Sequence, residues 1–161
     1  KISNQKISLK KFTYFSFFEN SDKGLEYYID NSVNILENAI KVRAKKFSKI
    51  QLGLSGGLDS RIMLSLIKRN FLDVDTFTYG TGQFVENDIA KKIAKISGVK
   101  HKYINIPKNL YLCKSNNSLM ESNAILTTNM SPQINLFNNL YKKNSCLIFG
   151  TFLDYLIGNS G

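Results

Sequence analysis

Leu52-Gly53-Leu54-Ser55-Gly56-Gly57-Leu58-Asp59-Ser60 is the stretch on which the reading of this chain turns. It joins a short apolar strand, 50–54, to a segment, 61–70, in which Ile62, Leu64, Leu66 and Ile67 read as the inward side of a helix. Adjacent glycines between a strand and a helix let backbone N–H groups turn toward one point, and the helix adds its positive N-terminal end. Ser55 and Ser60 add hydroxyl donors. Such a loop binds an oxyanion, most simply a phosphate or pyrophosphate. Gly57 is expected to need a positive φ, which a β-branched side chain resists. No Gly-Lys-Ser/Thr follows, and the G-x-G-x-x-G pattern is absent, so neither of those two phosphate loops is present. Asp59 would repel a bare phosphate, so its place beside the anion site predicts a bridging Mg²⁺. A Gly-Gly turn with an aspartate helix cap is common; strand, Ser-Gly-Gly-x-Asp-Ser and helix together are much rarer.

Outward from the loop, strands and helices alternate. A helix is predicted over 24–47, carried by Leu25, Tyr28, Ile29, Val33, Leu36 and Ile40, with Asp22 as its N-cap. Val74 to Tyr79 reads as a strand, 86–97 as a helix ending at Gly98, and 101–106 as a strand closed by Pro107. Segments 109–127 and 132–143 read as helices, and 145–149 as a last buried strand before Gly150. Four apolar strands separated by helices give an α/β fold, a doubly wound parallel sheet flanked by helices. Right-handed crossovers predict the order 101–106, 74–79, 50–54, 145–149. Ligands bind such sheets where the strand order reverses, so the Ser55 and Gly150 loops should face each other.

The 161 residues are 43% hydrophobic and 21% charged, which suits one globular domain and excludes an extended disordered chain. There is no apolar run long enough for a membrane span and no signal-peptide core, so a cytoplasmic setting is expected. Cys113 and Cys146, with the single His101, do not suit a disulfide framework or a structural zinc site. The formal charge is +10. The lysines are scattered and no arginine stripe is visible, which favours a solvated exterior over a nucleic-acid surface. The chain starts without Met and stops in Gly158-Asn159-Ser160-Gly161, which suggests part of a longer protein. Apolar surface, and with it poor solubility or self-association, is the corresponding expectation.

The loop resembles the pyrophosphate-binding loop of the N-type ATP pyrophosphatases (PP-loop superfamily), whose fold is the adenine nucleotide alpha hydrolase-like (HUP) one. Within that superfamily the chain resembles the synthetase domain of glutamine-dependent asparagine synthetases. Phe77-Thr78-Tyr79-Gly80 is similar to the strand end whose backbone receives the adenine. Asp88, Ala90, Ala94, Gly98 and His101 reproduce a spaced Asp-Ala-Ala-Gly-His pattern. Glu121, with Pro132 after it, is similar to a segment carrying an active-site glutamate, and Gly150 to Gly158, with Asp154 inside, resembles a second loop that helps hold magnesium. The resemblance implies a joining segment at 1–20 and a synthetase domain over 21–161. It implies ATP bound by Leu54, Ser55, Gly56, Gly57, Leu58, Ser60, Tyr79 and Gly150. Asp59 and Glu121 would be catalytic, and Mg²⁺ would lie on Asp59 and Asp154. An aspartate-like carboxylate would be activated as an acyl-adenylate and amidated by ammonia from glutamine, made by a glutaminase domain upstream.

The second loop departs from that family: Thr151 stands where it has a glutamate tied to adenylation, and Phe152 where it has a glycine. Two other readings therefore stand beside the first. One is a transfer-RNA-modifying ATP pyrophosphatase, favoured by the positive charge. The other is a non-catalytic nucleotide-binding homologue, favoured by Thr151 and Phe152. His101 is read as a packing or capping residue, and both cysteines as inert.

Overall fold

In the computed structural model the described residues are 2–3, 6–7, 23–71, 73–82, 84–106 and 144–150. The chain divides into two compact units, Lys1–Ser32 and Val33–Gly161. In the first, β1 (Ile2–Ser3) pairs antiparallel with β2 (Lys6–Ile7), Ile2 opposite Ile7. Helix α1 (Leu25–Ala44) opens in this unit. There the Lys23 ammonium sits 4.1 Å above the Tyr27 ring, and Tyr27 meets Tyr28 edge to face. Asp22, the expected cap, lies outside the described residues.

The second unit holds the sheet. β3 (Lys49–Gly53), β4 (Val74–Gly80), β5 (Lys100–Asn105) and β6 (Ser145–Phe149) are all parallel, in the order β5-β4-β3-β6. This is the predicted order. Gly53 is in register with Phe77 on one side and Phe149 on the other, so β3 and β6 end level at the loop while β4 runs on to Gly80. Successive strand residues face opposite sides. Ile50, Leu52, Val74, Cys146 and Ile148 face the helices α2 (Leu58–Asn70), α3 (Val85–Ile96) and the second half of α1, with Ile40, Leu64, Ile67, Ala90 and Ala94 in one core. The other face carries a smaller group, Phe77 and Ile104 with Tyr79, Leu147 and Phe149. Phe77 and Phe149 meet edge to face at 5.6 Å.

Helix ends show how the chain enforces these turns. After α3, Gly98 has φ 66°, its N–H bonds to Lys95 O, and the Val99 N–H reaches back to Ala94 O, the paired bonds of a Schellman ending. Asn144, with φ 74°, turns the chain into β6 and its carbonyl accepts the Ser48 N–H at 3.2 Å. The predicted helices 109–127 and 132–143 lie outside the described residues.

One boundary differs from the expectation in a way that matters. α2 begins at Leu58, three residues before the expected start, so Asp59 and Ser60 belong to its first turn and Gly57 is its N-cap. An aspartate cap is therefore not what the loop contains.

Candidate functional site

The loop leaves β3 in a fixed direction because β4 holds its first residue. The Leu54 N–H donates to Phe77 O at 2.8 Å, and the Thr78 hydroxyl donates to Leu54 O. Two serines then close the loop on itself. The Ser60 hydroxyl oxygen accepts the Ser55 N–H at 3.1 Å, and the Ser55 hydroxyl oxygen accepts the Gly57 N–H at 3.1 Å. The single Ser60 proton has Ser55 Oγ at 3.1 Å and the carbonyls of Ser55 and Gly57 at 3.2 Å within reach. Ser60 is 5% exposed. Its hydroxyl thus holds the loop's shape.

Gly57 has φ −75° and ψ 163°, extended backbone open to any residue, and among the described residues the glycines with positive φ are Gly82 and Gly98. The expected φ requirement at Gly57 is not met. Space constrains Gly57 and Gly150 instead, and Gly56 only to ordinary contact. A Cβ at Gly57 would stand 3.2 Å from Ser55 Oγ, inside the turn it closes, and one at Gly56 would touch Ile89 of α3 at 3.4 Å. A Cβ at Gly150 would come within 3.3 Å of the Ser60 backbone nitrogen. The second loop therefore begins directly against the first turn of α2, as expected of loops at a point where strand order reverses.

The first turn of α2 has no side-chain cap, because Gly57 offers none. Its leading N–H groups are the anion-binding end of the helix. They open on a cavity of about 450 Å³ lined by Leu54, Ser55, Gly57, Leu58, Asp59, Ser60, Tyr79 and Gly150, joined by Gly53, Phe77, Thr78, Glu86 and Phe149. The structure thus brings together all the described residues expected here except Gly56, which faces α3. Glu121 and Asp154 lie outside the described residues, as do Thr151 and Phe152. Glu86, in the first turn of α3, was not legible as a site residue, since its approach depends on how α3 packs. Among the described residues no three metal-ligating side chains converge. Asp59 and Glu86 nonetheless give the cavity two carboxylates, which fits a cation held mainly by phosphate oxygens and water.

His101 stands behind this end of the sheet. Its Nδ1 is 3.0 Å from the Thr76 hydroxyl, which donates to Lys100 O, and its Nε2 is 3.5 Å from the Thr78 hydroxyl. Burial, then the nearby Lys91 charge, pulls its pKa below the ordinary 6.5. It is a sheet-packing residue that braces Thr78, and it does not line the cavity. Cys146 packs against the core, and burial raises its thiol pKa.

Three comparisons bear on this geometry. The sequence family described as "Queuosine biosynthesis protein QueC" matches residues 49–152. The 7-cyano-7-deazaguanine synthase of Sulfurihydrogenibium sp. (strain YO3AOP1) is 47% identical over 53 residues, which is 32% of this chain and 24% of that protein. The aligned stretch is therefore a minor part of that relative. An NH3-dependent NAD synthetase from Campylobacter jejuni subsp. jejuni NCTC 11168 superimposes with a TM-score of 0.51 at 19% identity, over 84% of this chain and 60% of that one. An NMN synthetase from Francisella tularensis does so at 0.50 and 18%, over 78% and 54%. At these identities the two structures show a shared α/β fold.

Proposed function

The chain belongs to the QueC family of queuosine biosynthesis proteins, within the PP-loop ATP pyrophosphatases, and from that premise we propose that it uses ATP to activate a carboxyl group on a 7-deazaguanine-like base, on the way to a 7-cyano product. The observation that carries the reading is the Ser55–Ser60 loop, folded onto an uncapped helix start at one cavity with Asp59 and Gly150. The resemblance to asparagine synthetases rests on that loop, which the whole superfamily shares, and on looser likenesses at 77–80, 88–101, Glu121 and Gly150–Gly158; the family match is to QueC instead, and at the second loop Thr151 and Phe152 depart from the asparagine synthetases. The ATP half of the two reactions is the same and the acceptor differs.

Carboxylate, amide and nitrile share one oxidation level, so the route needs dehydrating power, which ATP supplies, and ammonia. The substrate carboxylate attacks the α-phosphorus and pyrophosphate departs. Ammonia then displaces AMP at the acyl carbon to give an amide; a second ATP activates the amide oxygen in the same way, with release of pyrophosphate, and AMP leaves with that oxygen as the nitrogen loses its protons and the nitrile forms. The α2 first-turn N–H groups receive the departing pyrophosphate, already oriented before reaction. Leu54, Phe77 and Tyr79 offer the purine an apolar and aromatic wall. Asp59, with Asp154 beyond the described residues, would hold Mg²⁺, which when bound offsets charge on the phosphates. Such a reaction belongs in the cytoplasm, and its partners are small molecules.

The test supplies full-length protein with ATP, Mg²⁺, ammonium and either 7-carboxy-7-deazaguanine or aspartate. The expected result is AMP, pyrophosphate and a 7-cyano product with the first acceptor alone. Asparagine formed from the second would restore the asparagine synthetase reading. Pyrophosphate release with neither would remove the ligase reading in favour of a nucleotide-binding homologue.

A further inference from the structure

Arg61 is on the exposed side of α2, one turn into the helix, and no motif points to it. Its guanidinium turns back on the loop. Nε donates to Gly57 O at 3.2 Å and Nη2 to Gly56 O at 3.2 Å. These carbonyls belong to two successive peptides, and in a planar trans peptide the N–H points opposite to the C=O. Holding both carbonyls on the outer side therefore sends the N–H groups of Gly57 and Leu58 to the other side. The structure shows that for Gly57, whose N–H points to Ser55 Oγ, and Ser55 and Leu58 both line the cavity. Extended backbone at Gly57 is not locked by a positive φ, so hydrogen bonds alone keep these two peptides from rotating: Ser55 and Ser60 from within the loop and the Arg61 fork from outside it.

We propose that Arg61 is the positioning residue of the phosphate loop: its fork clamps the Gly56 and Gly57 carbonyls so that the following N–H groups stay on the cavity side, that of Gly57 on Ser55 Oγ and that of Leu58 turned toward the phosphates. The inference rests on the reading of the Ser55–Ser60 loop as a pyrophosphate site. The fork is what matters, because a planar guanidinium can bind two carbonyls at once in a fixed geometry, whereas an ammonium is a point charge that holds one direction poorly. The bonds are exposed, so removing them should cost the unliganded fold little.

The experiment titrates inorganic pyrophosphate and ATP, each with Mg²⁺, calorimetrically into the full-length parent and into Arg61→Ala, Arg61→Lys and Arg69→Ala. Arg69 lies on the same helix but pairs with Glu37 at 3.2 Å, so it controls for lost surface charge. Arg61→Ala is expected to raise both dissociation constants about tenfold at unchanged stoichiometry. Arg61→Lys should recover less than half of that loss in free energy, and Arg69→Ala should match the parent. A purely structural role would instead lower the fraction of competent sites and leave the dissociation constant alone. Parent-like affinity in Arg61→Ala, or full recovery in Arg61→Lys, overturns the clamp while parent binding still upholds the site. Failure of the parent to bind either ligand removes the site itself, and the clamp with it.

Discussion

Gly150 shows how little room the meeting of the two loops leaves. A methyl there would stand 3.3 Å from a backbone nitrogen and 3.4 Å from a backbone carbon at Asp59, atoms that cannot swing aside as a side chain would. Gly150→Ala is expected to push the start of α2 off its seat. ATP affinity should fall by about tenfold or more and stability by about 1–2 kcal/mol, read by titration and by denaturant unfolding. Gly57→Ala should behave differently. Its backbone is in an ordinary region, so the folded state accepts alanine, but the new methyl crowds the Ser55 hydroxyl. Nucleotide binding should weaken with the melting temperature within a few degrees of the parent. Asp59→Asn keeps the shape and removes a charge; pyrophosphate release should drop about a hundredfold or more while weak nucleotide binding persists. Equal turnover in Asp59→Asn and parent would take the metal role away from this side chain.

At the scale of elements, the end of α3 offers a clean measurement. Gly98 has φ 66° and open space around it, so Gly98→Ala isolates the backbone penalty, expected at about 1 kcal/mol in unfolding free energy. On β5, His101 sets a pH dependence. Its folded pKa lies below 6.5 because burial disfavours the charged ring. The unfolded chain therefore binds more protons between the two pKa values, and stability rises with pH there. The contribution is full above 6.5 and is lost as pH falls through the folded value. His101→Gln should flatten that part of the profile in urea titrations run from pH 7 down to 5. The strands and their order were legible because 50–54 and 145–149 are mostly apolar, 74–79 alternates apolar and polar residues, and handedness leaves few ways to connect them; β6 is only half-buried. The start of α2 is not legible because Leu58-Asp59-Ser60 reads locally as loop; in the structure extended backbone at Gly57 caps the helix and these three residues form its first turn. Arg61 and Glu86 are not legible in the sequence for a related reason. One acts through backbone carbonyls, which carry no residue identity, and the other through the placement of a helix.

For the whole molecule, the +10 charge makes a testable separation between two kinds of phosphate binding. Raising salt from about 50 to 200 mM should weaken association with a long polyanion by orders of magnitude. ATP held by directed N–H groups and a metal should lose only a few-fold. A steep slope for ATP would mean that the diffuse charge, not the loop, is doing the binding. The sheet has a further consequence, for the order of assembly. β3 finds β4 nearby, with Leu54 and Thr78 joined across 24 positions, but its other edge waits for β6, where Ser48 and Asn144 meet across 96. Closing that second, much larger loop of chain costs more entropy and takes longer. The cradle for the phosphates is therefore finished by the last of the described strands to arrive. Until then a nascent chain has β3, β4 and β5 zipped together, with the inner strand's flank bare and ready to pair with a stranger.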